Sequence, residues 1–400
     1  MIVAGWRSVA GEGRCELEVR DSDGDVDVLW YEFDGDQAAP IPERLDVAAV
    51  ALLSRAMRQG VDLHLEGSVD RSLLANLEKY QDRWARWRPQ LFRRIRISAD
   101  AVDAIPNEAR CSRVAAVAFS GGVDSCYTVA SNATGALGEG TVDVGVAVMV
   151  HGFDVPVDDR EGFSVARERA RAILSDFDIP LMCVRTNWRD REFCPHWTMS
   201  FTAGLASVLH QFSDRAGVGL VSSEGVYGRE VLPWGSNSKT NPLLGSARFP
   251  LRTVGLDTGR TARCRLIGEW ASIRDNVRVC YAGPRPGINC GTCAKCVTTK
   301  LNFLVAGVGE IPALGPLSPQ DVRKMQYDGP WRLAYMRDIA SHGDGVPTSF
   351  RRSLKVQIRR HWWRAKLAAL RHRVRIRSRL ATWRRSASAS PETPTSSAPG

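Results

Sequence analysis

The 400-residue sequence has no uncharged apolar run of about 18 residues, the length a helix needs to cross a bilayer, which excludes a membrane-spanning helix. Residues 1–20 also lack the basic start, apolar stretch and small-residue cleavage site of a secretory signal. A cytoplasmic protein is the expectation from these two absences. Cysteine is sparse, and ten in so long a chain are too few for a disulfide scaffold. Four of them crowd between Cys280 and Cys296, which points to metal ligation, and the others read as small buried apolar residues. Acidic residues are nearly missing from one region only. Residues 351–400 hold 14 Lys/Arg against the single acid Glu392, which leaves 40 basic and 43 acidic residues in 1–350. The net charge of +10 thus belongs to a tail, and the near-neutral body gives no sign of a nucleic-acid binder.

What is present reads as alternating secondary structure. In residues 1–105, Val26, Val28 and Trp30 alternate with polar neighbours, as do Val61, Leu63 and Leu65, the period of a half-buried strand. Leu45, Ala49, Leu52, Leu53, Ala56 and Met57 recur at helical spacing, and so do Leu73, Leu74, Leu77, Tyr80 and Trp84. These features predict a small α+β accessory domain, a packing or substrate-lid module without clustered chemistry. Over 106–308 the pattern changes to continuous apolar runs, predicting strands at 114–119, 142–150, 180–184 and 218–221. The helices predicted between and after them cover 125–136, 160–177 and 199–216. Such alternation implies an α/β fold, a doubly wound parallel sheet that binds ligands beyond the carboxyl ends of its strands. Residues 309–350 read as a C-terminal extension and 351–400 as a basic tail, with 386–400 too poor in apolar residues to fold.

The most informative segment follows the strand at 114–119. Ser120, Gly121, Gly122, Val123, Asp124 and Ser125 form a glycine turn leading into a helix. Glycine permits the unusual dihedrals of a tight turn, the amides are then free to face an anion, and the helix adds its positive dipole end. The Ser120 and Ser125 hydroxyls supply further donors. The bland alternative is an ordinary helix start with Asp124 as its cap. It is not a Walker A loop, because the lysine is missing and the spacing differs.

This Ser-Gly-Gly-Val-Asp-Ser run resembles the signature loop of the PP-loop ATP pyrophosphatase superfamily, with its HUP-like sheet. The resemblance implies an enzyme that splits ATP between the α and β phosphates and adenylates a carboxylate or amide oxygen. A nitrogen or sulfur nucleophile then displaces AMP. By position it implies that Ser120, Gly121, Gly122, Val123 and Ser125 hold the outer phosphates and that Asp124 orients the loop or helps to bind Mg²⁺. It further implies that Val148 to His151 supply adenine contacts, with Asp154 on the rim.

Cys280, Cys290, Cys293 and Cys296 are spaced by nine, two and two intervening residues. Four thiolates at such spacing suit a tetrahedral Zn²⁺ with no open position, hence a structural ion, and an iron–sulfur cluster is the competing reading. A Cys-Gly-x-Cys-x-x-Cys run behind a PP-loop domain is similar to the zinc site of the 7-cyano-7-deazaguanine synthase family. That likeness covers roughly residues 113–300 and implies C–N bond formation on a heterocyclic carboxylate. The family has neither the N-terminal 105 residues nor the tail.

Between residue 223 and the helix expected near Cys264 runs a long segment without evident structure, rich in aromatic and amide groups. Loops of this length are functional or disordered. The segment contains Tyr227 and Arg229, and Ser223, Glu224, Trp234, Asn237 and Lys239 in it are candidate substrate contacts, while Lys239 or Arg263 is a candidate ATP-phosphate contact. In the tail, Leu354, Ile358, Trp362, Ala369, Ile376, Leu380 and Trp383 recur among arginines at roughly helical intervals. A solvated extension, an RNA-binding arm and a helix on an anionic membrane surface all fit that pattern through 351–385. Two other functions stay open beside the adenylating enzyme with its small-molecule substrate. One is a sulfur transferase using Cys126, Cys183 or Cys194, of which Cys194 reads as exposed. The other is a non-catalytic zinc module holding nucleic acid through the tail.

Overall fold

The computed structural model describes residues 1–10, 13–35, 44–103, 114–226, 228, 230, 232–280, 283, 287–326, 330–342 and 345–387, with 8–10, 330–332, 334, 368–369 and 371–387 as backbone alone. Tyr227, Arg229, Cys111 and the terminal stretch 388–400 lie outside the described residues. Two units divide the chain, residues 1–317 and 318–400.

The first unit is an α/β structure around a single ten-stranded sheet, six of whose nine strand pairings are parallel. Its strands are β1 (Ile2–Ala10), β2 (Arg14–Arg20), β3 (Val26–Gly35), β4 (Leu63–Asp70), β5 (Ile97–Asp103), β6 (Val114–Ala118), β7 (Asp143–His151), β8 (Leu181–Thr186), β9 (Val218–Ser222) and β10 (Leu251–Val254). Their order is β10-β9-β6-β7-β8-β3-β2-β1-β4-β5. The segment expected as an accessory domain thus continues the sheet of the parallel half and belongs to the same unit. The two halves meet where β3 runs antiparallel to β8, Tyr31 opposite Thr186. Asn187 fastens this seam: its carbonyl accepts from Trp30 N at 3.0 Å and its amide donates to the Val28 carbonyl at 2.9 Å.

The sheet positions follow from which faces are covered. The strands β6 to β9 carry the continuous apolar runs of strands buried on both sides, such as Ala115 to Val117 and Leu181 to Val184. In β3 the buried residues are Leu29 and Tyr31, while Val26 is 55 % exposed, so the face inferred from Val26, Val28 and Trp30 is the wrong one. Four adjacent apolar residues, 28–31, blur a period of two.

On one face lie α1 (Asp46–Gln59), α2 (Arg71–Trp87) and α5 (Trp197–His210); α1 is buried on every side from Asp46 to Met57. Asp70 caps α2 by accepting from the Ser72 and Leu73 amides at 2.7 and 3.1 Å. The buried Trp188 indole donates to the Ala51 carbonyl at 2.9 Å, tying α1 to the end of β8. On the other face lie α3 (Val123–Ala133), α4 (Arg160–Leu174), α6 (Arg260–Ile267), α7 (Ala271–Asn276) and α8 (Ala294–Val305). The segment expected as structureless contains a 3₁₀ turn at Asn241–Leu244 and the edge strand β10, parallel to β9.

The second unit holds α9 (Pro319–Lys324), α10 (Pro330–Ser341) and α11 (Thr348–Ala387). A capping box starts α9: Ser318 N donates to Asp321 Oδ2 at 2.8 Å and Asp321 N to Ser318 Oγ at 3.3 Å. The helix α11 packs on α9 and α10.

Candidate functional site

The chain runs from β6 outward to β7 and β8, then returns to the other side of β6 to lay down β9 and β10. Connections leaving β6 and β9 therefore diverge in opposite directions, which opens a crevice at the carboxyl ends of these two strands. Two of the predicted segments line it. Residues 120–125 leave β6, and Ser223 and Glu224 leave β9. Thr128 Oγ1 and Ser222 Oγ, 2.8 Å apart, join the two walls beneath the crevice.

The turn has the backbone an anion site needs. Gly121 lies at φ +70°, where a Cβ would meet nothing within 4 Å; glycine is needed there for its dihedral, not for space. Gly122 is the N-cap of α3, and no side chain caps the helix, so its first amides and positive end are available to an anion. Ser125 Oγ accepts from Ser120 N at 3.3 Å and donates to the Gly122 carbonyl at 3.1 Å, and the two serine hydroxyls lie 3.3 Å apart. From outside, Arg278 N donates to the Gly121 carbonyl at 2.8 Å and fixes the turn.

Asp124 is braced by two arginines of α6. Arg260 Nη1 reaches Oδ2 at 2.8 Å and Arg263 Nη1 reaches Oδ1 at 2.7 Å. Burial works against the charge on Asp124, but the Arg260 and Arg263 guanidiniums outweigh it and hold the carboxyl below its ordinary range. Arg263 itself is 2 % exposed and commits the rest of its fork to the carbonyls of Ser223 (2.6 Å), Gly255 (2.5 Å) and Thr258 (3.0 Å), stacked over Tyr127. It is a strut between the β6 and β9 loops, and its donors are already engaged within the fold.

Glu224, Asp154 and Lys295 complete the charged lining. The Glu224 carboxylate reaches solvent through the crevice, yet enclosing protein raises its pKa despite the Trp234 indole that donates to it. Burial lowers the Lys295 pKa, with Arg260 acting in the same sense and Asp154, Glu224 and Asp124 opposing it, so all these charges feel one another. Asp154 also pairs at 3.8 Å with Arg278. It follows Gly152, where a Cβ would press to 2.1 Å from the Thr186 carbonyl, so only glycine lets the chain leave β7 across the end of β8.

Other predicted residues sit elsewhere. Val148 is inside the ladder, its carbonyl accepting from Phe119 N at 2.8 Å. His151 is buried, stacked on Phe163 at 4.3 Å and bonded through Nε2 to the Pro156 carbonyl at 2.8 Å; burial lowers its pKa and favours the neutral ring. It lines a polar cavity of about 230 Å³ beside Arg160, Arg167 and Arg185, and no residue of the 120–125 turn shares that lining. The Ser223 hydroxyl is occupied by a turn with Gly225. Asn237 is an organiser of its own loop, donating to the Trp234 carbonyl and Thr240 Oγ1 and accepting from the Lys239 and Thr240 amides. The Lys239 side chain is exposed, and no ion pair joins it to the turn among the described residues.

Arg260, Arg278 and Lys295 stand at the turn without having been expected there from the sequence. A signal existed for two of them: Arg260 and Arg263 stand one helical turn apart behind Gly259, and Lys295 lies between two cysteine ligands.

The four cysteines form a cluster that could hold a metal ion. Their sulfurs lie within 4.8 Å of one another, with 3.4 Å between Cys280 and Cys290, 3.7 Å between Cys280 and Cys293, and 3.9 Å between Cys290 and Cys296. A tetrahedral ion with sulfur ligands at about 2.3 Å requires sulfur separations of about 3.8 Å, so the donor set fits one ion. A four-iron cluster, which places each cysteine on a different iron, would spread them farther. Cys293 N donates to Cys290 Sγ at 3.2 Å and Cys296 N to Cys293 Sγ at 3.4 Å, the bonds that favour thiolates. Within the cluster the Cys293 thiol is pulled down to about 4, first by Cys296, which is itself pushed up. Cys293 is also the N-cap of α8, so the knuckle fixes the helix that carries Lys295.

The other described cysteines, Cys15, Cys126, Cys183, Cys194 and Cys264, are buried. Cys194, expected at the surface, lies against the core, and burial pushes its thiol up to about 11. Its polar neighbours Arg191 and Glu192 are exposed while the turn bonded to Asp190 tucks Cys194 inward.

No protein-family model, curated protein or solved structure matches this chain.

Proposed function

We propose that this chain is an ATP pyrophosphatase of the PP-loop type, HUP-like in its parallel half, which adenylates a carboxylate or amide oxygen of a small molecule. The observation that carries the reading is the 120–125 turn, with Gly121 at φ +70° and an uncapped helix behind it, at the sheet's switch point. Ser120, Gly121, Gly122, Val123 and Ser125 surround the outer phosphates of ATP, and Arg260, Arg278 and Lys295 supply the positive charge in the place assigned by sequence to Lys239 and Arg263. Asp124 holds the turn through its two arginines. Mg²⁺, when bound, offsets phosphate charge, and Asp154 and Glu224 are the carboxylates suited to it.

Substrate oxygen attacks the α-phosphorus, the α–β bridge bond breaks, and its electrons leave with pyrophosphate. Loop amides and cations stabilise that growing charge without covalent participation. A nitrogen nucleophile then displaces AMP. In this reading Zn²⁺ occupies the four-cysteine site structurally and the enzyme is cytoplasmic, a reducing setting that keeps the thiolates free for metal. Sulfur transfer is less well supported, because Cys126, Cys183 and Cys194 are all buried, and a persulfide carrier needs an accessible acidic thiol. A pure binding module leaves the crevice charges without a purpose.

Mass spectrometry of the metal-loaded protein with ATP, Mg²⁺, ammonium and a panel of heterocyclic carboxylates tests this. AMP and pyrophosphate in equal amounts are expected with at least one acceptor; ADP and phosphate, or no turnover with any, would refute it.

A further inference from the structure

The tail helix α11 packs on α9 and α10 through Phe350, Ser353, Leu354, Gln357 and His361, all buried. Among its described residues none after His361 is buried. Along the same helix Val356, Trp363, Leu367 and Leu370 are each more than half exposed, at 55, 58, 52 and 55 %. Their spacing of seven, four and three residues puts them within about 60° of arc on a helix turning 100° per residue. The stripe differs from the one inferred from sequence, since Leu354 is buried. Arg352, Arg359, Arg360 and Arg364 border it, and residues 351–387 hold 14 Lys/Arg and no acid. Lys366 lies over the Trp362 ring at 3.9 Å.

We propose that α11 is a peripheral anchor that lies in the headgroup layer of an anionic bilayer. Val356, Trp363, Leu367 and Leu370 enter the acyl boundary, and the flanking cations meet lipid phosphates. Charge complementarity selects this occupant. A second copy of the helix would bring 14 further cations against the first. RNA would satisfy the arginines but gains nothing from Val356, Leu367 and Leu370, which neither stack on bases nor bond to phosphate. The helix does not cross the bilayer: no described helix is long and apolar enough to do so.

Sedimentation of the full-length chain with vesicles of phosphatidylcholine, alone or with about one third phosphatidylglycerol, tests the anchor, alongside a single-stranded RNA arm. Binding is expected to the anionic vesicles only. The pair Trp363→Glu and Leu367→Glu, on exposed positions that leave the fold intact by circular dichroism, should weaken it about a hundredfold. Replacing Arg359, Arg360 and Arg364 by Gln should weaken it about fivefold per charge. Equal binding to neutral vesicles, no binding to anionic ones, insensitivity to the Glu pair, or tighter capture of RNA would each overturn the proposal.

Discussion

Asp124→Ala should lower ATP turnover at least about a hundredfold and destabilise the first unit by about 3 kcal/mol. Among the described residues the carboxylate is the one acid paired with the buried Arg263 fork, and Arg260 binds its other oxygen. Removing it leaves Arg263, 3 % exposed in its side chain, with uncompensated charge. The lower end of the usual range applies because 26 % of the Asp124 side chain reaches solvent. In a unit of this size that is a fall in Tm of about 6 °C. Since the folded pKa of Asp124 is lowered, its contribution is fully present above the unfolded value near about 3.9 and disappears as pH falls through the folded value. The wild-type chain therefore loses stability below about pH 4 more steeply than Asp124→Asn. Parallel acid limbs in thermal melts of the two proteins would contradict the brace.

Stripping the metal, or replacing Cys296 by Ser, should cost about 5 kcal/mol or more and lower Tm by about 10 °C, because binding energy at such a site is folding energy. Cys296 is fully buried and lies in the first turn of α8, whose Val297, Leu301 and Phe303 are all buried within the first unit. The same loss frees Lys295 from its position beside Asp154 and Glu224, so nucleotide affinity should fall together with metal content. One equivalent of metal per chain by elemental analysis is expected, with none in Cys296→Ser. A chelated protein that melts as before would show that the four thiols do not hold a structural ion.

Much of this architecture was legible in the residues, for physical reasons. Strands β6 to β9 are covered on both faces, so their apolar runs stand out, and the 120–125 turn was visible because a positive φ requires glycine. Cysteine spacing survives folding because ligands close in sequence stay close in space. What escaped notice depends on distant pairing. β10 is four residues long with Arg252 exposed between buried Leu251 and Val254, too short for a periodic signal. The β3–β8 seam joins residues about 150 apart, and nothing local announces it. Arg260 and Arg278 reach the turn from more than 130 residues away, whereas Lys239, nearer in sequence to Glu224, is directed to solvent. Asn237 looked like a binding residue because amides recognise ligands; its own loop uses all of its hydrogen-bonding groups.

In the proposed enzyme the turn after β6 grips the outer phosphates of ATP. Isothermal calorimetry of the full-length, metal-loaded chain with ATP and Mg²⁺ addresses it directly. One site per chain is expected in the wild type, and a loss of affinity of about tenfold or more in the pair Ser120→Ala and Ser125→Ala, with Tm lowered by only about 2–6 °C for the lost turn bonds. No heat with the wild type, or equal affinity in the pair, would contradict it.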